Sequence, residues 1–220
     1  MANTTVKTVI DNAKLILQET TDNGIRWTNE ELLGWLGEAY QKIISFKPSA
    51  SANNSTVSCV AGTKQSLPAD GVYLLDVVRN MAGSLSVVTR TERSVLDATR
   101  RGWHGDTGSD TIDHYLYDDQ NPENFYVYPP ATINAQLEVV YASVPGAHPA
   151  ADMSNNAVIK LDDRYAPTIT DYILMRAYTK DADFAGNAQR MQYHENLFMT
   201  SMGLKLKSEH ASSPNNPQNK

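Results

Sequence analysis

The hydrophobic period of this chain changes twice. Near both ends, over residues 4–47 and 161–206, apolar side chains recur at three- and four-residue steps; between them, over 55–141, they alternate in short runs. A step near 3.6 gives a helix one apolar stripe, and a step of 2 gives a strand one apolar face. The chain must therefore combine helices from both ends with a sheet built in the middle.

At the N-terminal end, Val6, Val9, Ile10, Ala13 and Leu17 predict a helix over about 4–19, and Asp22-Asn23-Gly24 a turn. Thr28 followed by Glu31 is a capping box, in which each side chain satisfies the other residue's free backbone donor. The helix it opens carries Leu32, Leu36, Ala39, Tyr40 and Ile43, and Pro48 ends it. In the middle, Thr56–Val60 and Gln65–Leu67 are expected to pair as a hairpin across Ala61-Gly62-Thr63-Lys64. Val72–Arg79 is apolar enough for a central strand. Leu85–Val88, His114–Tyr117, Asn124–Tyr128 and Gln136–Tyr141 follow as strands, with a short helix at Glu92–Thr99. Their short connections imply antiparallel pairing.

Helical period resumes after a Pro/Ala/Asn-rich connector, 142–160. Pro167 suits only a first turn, and Ala166, Ile169, Ile173 and Ala177 form the stripe. A last helix, about 183–206, carries Phe184, Ala188, Met191, Phe198 and Met202. Residues 208–220 hold almost no apolar side chain and are expected to stay free or to be ordered by a partner. The expected fold is α+β: an antiparallel helical bundle made by both chain ends, 1–48 and 161–207, with a mostly antiparallel β insertion, 49–160, and a tail from 208.

Composition narrows the function. The 220 residues carry a net charge of -6, which disfavours a basic DNA-reading module. The acid excess is local: Asp106, Asp110, Asp113, Asp118, Asp119 and Glu123 crowd into 105–125, where there is no Lys or Arg. Cys59 is the single cysteine, so no internal disulfide and no cysteine zinc knuckle can form. No apolar run approaches a bilayer span. The first residues lack the charged and apolar regions of a secretory leader, so none is expected.

His104, Asp106, Asp110, Asp113 and His114 are metal-ligating types, and a small metal-dependent hydrolase using His104, Asp106 and Asp113 is the competing function. Their spacing matches no ligand motif, and glycines at 102, 105 and 108 mark a solvated loop instead. His194, with only Glu195 near it in sequence, is expected to be a packing or interface residue, and Cys59 a small buried one. Arg90, Arg93, Arg100 and Arg101 are expected to form ion pairs with the acidic loop or a neighbouring chain. The 11 tyrosines and 3 tryptophans favour a protein that makes protein contacts. No catalytic residue, cofactor or metal is expected.

Several segments, in order over about 20–200, resemble the head–tail adaptor (connector) proteins of tailed bacteriophages. They are Trp27-Thr28-Asn29-Glu30-Glu31-Leu32-Leu33-Gly34-Trp35-Leu36-Gly37-Glu38-Ala39, Leu67-Pro68-Ala69-Asp70-Gly71 and Leu74-Leu75-Asp76-Val77-Val78-Arg79-Asn80. Then come Arg93-Ser94-Val95-Leu96-Asp97-Ala98 with Trp103-His104, Phe125-Tyr126-Val127-Tyr128-Pro129-Pro130, and the run Tyr172 to Asp181. The resemblance implies a structural protein of the virion, assembled in the host cytoplasm. It would form a homo-oligomeric, usually dodecameric, ring below the portal protein and surround the channel through which DNA passes during ejection, without sequence-specific binding. It would also offer the docking surface for the next tail or nozzle protein. The family's C-terminal helix and tail commonly reach toward the portal, so Leu204, Lys205, Leu206 and Lys207 are the expected partner-binding residues. No membrane is involved, and the family supplies no catalytic residues.

Overall fold

A computed structural model describes residues 3–83, 85–184 and 186–212, with side chains given as far as Lys205. It is a mixed α+β structure with five α-helices and two sheets among the described residues. The chain divides into two compact units, Met1–Ala50 with Pro145–Lys220, and Ser51–Val144.

The first unit contains four helices. Helix α1, Val6–Leu17, starts where Thr5 accepts from the Thr8 amide and ends at Gln18 in the left-handed conformation. The turn that follows needs Gly24, which has φ +75° and whose added Cβ would lie 2.0 Å from the Trp27 carbonyl oxygen. Helix α2, Asn29–Phe46, opens on the expected capping box: the Glu31 amide donates to Thr28 Oγ1 at 3.3 Å and the Thr28 amide to Glu31 Oε2 at 3.2 Å. Helix α4, Ala166–Lys180, lies against α1, α2 and the last helix, α5, Asn187–Ser212. Val6, Ile10, Leu32, Leu36, Ile43, Ile169 and Ile173 are fully buried. At one end of these helices Trp27 Nε1 donates to the Ala177 carbonyl at 3.3 Å, and Lys180 bridges to Glu31 at 2.6 Å.

Two expectations about this unit change. Residues 145–160 belong to it instead of to the β-rich part. The Val6 amide donates to Ala157 O at 2.8 Å and the Ile159 amide to Thr4 O at 3.0 Å, so the connector is stitched to the start of the chain by backbone bonds that composition does not signal. The last helix begins at Asn187, after Gly186 at φ +87°, and Phe184 is an exposed turn residue under the Arg26 guanidinium. It also continues through 208–212, because Leu204–Ala211 is rich in strong helix formers even though it offers little to bury. The remaining tail, 213–220, lies outside the described residues.

The second unit holds strands β1 (Ala52–Ser58), β2 (Gly62–Ser66), β3 (Gly71–Asn80), β4 (Thr89–Arg90), β5 (His114–Tyr117), β6 (Asn124–Ala131) and β7 (Gln136–Ser143). Helix α3, Arg93–Thr99, lies between β4 and β5. One sheet has the order β1-β7-β3 and the other β2-β6-β5-β4. All ladders are antiparallel except β4 with β5. The expected β1–β2 hairpin is absent among the described residues: β1 pairs with β7, and β2 with β6. The buried Gln65 side chain takes the bonds a hairpin turn would use, accepting from Val60 N at 2.8 Å and donating to Val60 O at 2.8 Å and Gly62 O at 3.0 Å. The two strands thus leave the turn for different sheets.

Strand β3 closes one side of its sheet instead of running through the centre. Its register with β7 shifts between Gly71 and Tyr73, Leu74 and Asp76, and Val77 and Arg79. Each bulge adds one residue, so Gly71, Leu74, Val77 and Asn80 face inward at every third position. Of the expected strand 85–88, only a bridge from Val87 to Arg79 forms, and pairing begins at Thr89. The core between the sheets contains Leu74, Val77, Val88, Ile112, Phe125, Val127, Leu137 and Val139.

Candidate partner-binding surfaces

Helix α5 is the first candidate, and packing fixes which of its sides is free. Phe198 and Met202 are buried, and the Phe198 ring meets Tyr172 at 5.5 Å and Phe46 at 6.4 Å. His194 continues this face. Its Nδ1 lies 3.0 Å from Asp171 on α4 and its ring stacks on Tyr178 at 5.8 Å. It is a packed residue, and its partner comes from 23 positions upstream, out of reach of a reading confined to neighbours.

The four residues expected to meet a partner divide. Leu204 is 63% exposed. Lys205 turns to its own chain: Nζ donates to the Arg164 carbonyl at 2.9 Å and to Thr168 Oγ1 at 2.8 Å, and lies 4.3 Å from the centre of the Tyr165 ring. Burial lowers the pKa of this ammonium, and the nearby charges of Lys47 and Arg164 lower it further. Leu206 and Lys207 continue the helix, and their side chains lie outside the described residues.

The second candidate is the acidic loop, where the structure disperses the five possible metal ligands. His104 stacks on Trp103 at 3.7 Å and its Nδ1 is 2.8 Å from Thr63 Oγ1. Asp106 pairs with Arg100 at 2.5 Å, an ion pair of the expected kind. Asp110 accepts from the Thr132 hydroxyl. The main-chain oxygen of Asp113 accepts from Thr89, and His114 Nδ1 is 2.7 Å from Thr89 Oγ1. Among the described residues no three His, Cys, Asp or Glu side chains stand together as metal ligands would. Cys59 is buried, and desolvation pushes its thiol up to about 11, the opposite of what an activated nucleophile needs.

The same region does build a groove of about 630 Å³ between α3, β5 and the start of β6. Arg90, Arg93, Leu116, Tyr117, Asp118, Asp119 and Tyr126 are among its lining residues; Leu116 and Tyr126 share the face that packs on Trp103, while Tyr117 turns to the other face, against Tyr73. The wall is rigid. Trp103, fully buried, sets its edge against Tyr126 at 6.2 Å and donates Nε1–H to Asp97 at 2.9 Å. That bond, with Arg93 alongside, holds Asp97 below the usual carboxylate range.

A buried network went unseen in the sequence. His148 Nδ1 lies 2.6 Å from Asp152 and its Nε2 lies 3.0 Å from the Tyr40 hydroxyl, whose oxygen accepts from the Lys160 amide at 3.0 Å. Desolvation raises the Tyr40 pKa to about 12. Its one local signal in the sequence is a histidine four residues before an aspartate within the Pro/Ala/Asn-rich connector.

The chain is thus a two-unit α+β protein with, among its described residues, no assembled metal site. The model of one family, SU10 adaptor protein, matches residues 4–218 and so runs through both units. The chain belongs to the SU10 adaptor protein family. This is a family of phage head–tail adaptors, structural components of the virion. No single curated protein matches this adaptor chain. No described helix of the adaptor is long and apolar enough to cross a membrane.

Proposed function

We propose that the chain forms a dodecameric ring below the portal, encloses the DNA channel and presents the surface on which the next tail or nozzle protein docks. The observation that carries this reading is the family match over 4–218. In such a ring each copy offers two different patches, one to each neighbour, and closure requires a fixed rotation between them. DNA would pass without sequence-specific contact, in keeping with a net charge of -6. The ring would assemble in the host cytoplasm and stay at the head–tail junction through DNA ejection.

The helices of 1–48 and 161–207 are proposed to act as one antiparallel bundle carrying the β-rich residues between them. The packing of α4 against α1, α2 and α5 supports this. The portal contact is assigned to the end of α5, through Leu204 with Leu206 and Lys207, while Lys205 anchors the helix to its own unit. Residues 208–220 would be ordered there. Native mass measurement and particle imaging of the purified chain, alone and with portal, test the reading. A ring that adds to portal-bearing heads is expected. A chain that stays monomeric with portal present would remove it.

A further inference from the structure

Strands β1, β3, β2 and β4 stand at the sheet edges, and among the described residues β1 alone lacks a feature that keeps an edge from pairing with another chain. Strand β3 is broken by three register shifts, and its far end is closed where Asn80 N donates to Ser86 O at 2.8 Å and Val88 N to Val78 O at 3.3 Å. Strand β2 has five residues, a register shift and the exposed Lys64, and β4 has two residues. Strand β1 runs seven residues along β7 in unbroken register, from Ala52 opposite Ala142 to Ser58 opposite Gln136. It has no bulge, no proline and no charge.

The ladder fixes which backbone groups of β1 are free. Cys59 N donates to Ala135 O at 2.9 Å, and bonded pairs alternate along an antiparallel ladder. Ser55 and Val57 therefore bond to β7, while the N–H and C=O groups of Asn54, Thr56 and Ser58 point away from it. The Gln136 carbonyl, opposite Ser58, accordingly serves the other side of β7, where it accepts from Met81 N at 2.7 Å. Asn54, Thr56 and Ser58 are exposed, and no hydrogen bond reaches their outward backbone groups among the described residues.

We propose that this edge receives a strand donated by the next tail protein. A guest strand would pair with the outward groups and extend the sheet to guest-β1-β7-β3. Charge defines the guest. No charged residue stands between Lys47 and Lys64, so the edge suits an uncharged, proline-free stretch about as long as β1. The choice of donor rests on the ring reading. Pairing of β1 with β1 of a second copy is two-fold, whereas neighbours in a ring meet head to tail. The other edges of a second copy carry the features that prevent pairing, and the portal contact is assigned to the end of α5. The tail protein is the partner left to supply the strand.

Hydrogen exchange at single amides tests this on the full chain, free, joined to portal-bearing heads, and in heads then completed with tails released from virions. The amides of Asn54, Thr56 and Ser58 should exchange fast in the first two states while Val57 is protected, and tail addition should slow the three by about tenfold or more. Thr56→Pro removes only an outward donor, which an edge strand tolerates. It should join heads as the parent does and lower tail addition about tenfold. Thr56→Lys, which leaves the backbone intact, should lower it in the same direction. Slowing that appears as soon as copies join heads makes a neighbouring copy the donor and overturns the inference. Amides that stay fast in tailed particles, or full tail addition by both variants, also overturn it while leaving the ring reading in place. Heads that never take up the chain remove that reading, and the inference with it.

Discussion

The hydroxyl of Tyr40 and Nε2 of His148 stand 3.0 Å apart across 108 residues of sequence. The Tyr40 oxygen also accepts from the Lys160 amide at 3.0 Å, and the other ring nitrogen of His148, Nδ1, faces Asp152 at 2.6 Å. One buried phenol thus ties both ends of the 145–160 connector to α2.

Tyr40→Phe keeps the ring and removes the hinge of this network. It leaves the Lys160 amide and His148 Nε2 without their partner in a buried site, at a cost of roughly 1–3 kcal/mol. Denaturant unfolding should show the loss as a lower midpoint with an unchanged slope. Amide exchange should show it as faster exchange at Lys160 with little change in the β-rich unit.

The relation between these residues also shows where sequence reasoning stops. Period and capping are local, so the Thr28/Glu31 box and the stripes of α1, α2 and α4 were legible. Strand pairing is not local. Nothing in Thr56–Val60 says that its partner is β7, and a glutamine that closes a turn with its own side chain looks like any polar strand residue. Bulges hid the face of β3, because three inserted residues turn a period of 2 into a period of 3. At the candidate site, Leu204 was legible as an apolar residue with nothing to bury it. Lys205 was not, because its partners lie 41 and 37 positions away. The groove was half legible: its arginines and acids were seen as charge, but that Leu116 and Tyr126 share one face and Tyr117 the other follows only once β5 and β6 pair.

Gln65 offers a second test. It is buried, and its side chain makes three bonds to the Val60 and Gly62 backbone. Gln65→Leu has similar size but orphans the Val60 amide and two carbonyls, so it should destabilise by about 2–4 kcal/mol. A change below about 0.5 kcal/mol in chemical denaturation would show that water replaces the side chain and that the divergence of β1 and β2 has another cause.

Acid should loosen the turn between α1 and α2 through Glu19. Its carboxylate accepts from the Thr21 hydroxyl and from the Ile25 and Arg26 amides, which lowers its pKa to about 2 from an ordinary 4.5. A carboxylate with a depressed folded pKa contributes stability that is fully present above the unfolded value and lost as pH falls through the folded one. The contribution of Glu19 should therefore fade between about pH 4.5 and 2. Glu19→Gln should melt lower than the parent at pH 7 and approach it near pH 2. Parallel melting curves of the two chains across that range would refute the assignment.

The end of α5 can be tested at single residues because its two described side chains point to different duties. Leu204 is exposed, so Leu204→Asp should leave the melting temperature within the small range usual for surface changes. A polar group there would still spoil an apolar contact with a partner, where a buried leucine is worth about 1.5–3 kcal/mol. Joining to portal-bearing heads should accordingly fall by roughly ten- to a hundredfold. Lys205→Met should behave in the opposite way. The Arg164 carbonyl and Thr168 hydroxyl lose their donor and the Tyr165 ring its cation, so the helix end should fray and the melting temperature should drop. Binding to heads would then weaken only as far as fraying removes the helix that carries Leu204. If Leu204→Asp joins heads as tightly as the parent chain while Lys205→Met does not, the contact is made by the lysine or by the residues that follow it, and the assignment to Leu204 fails.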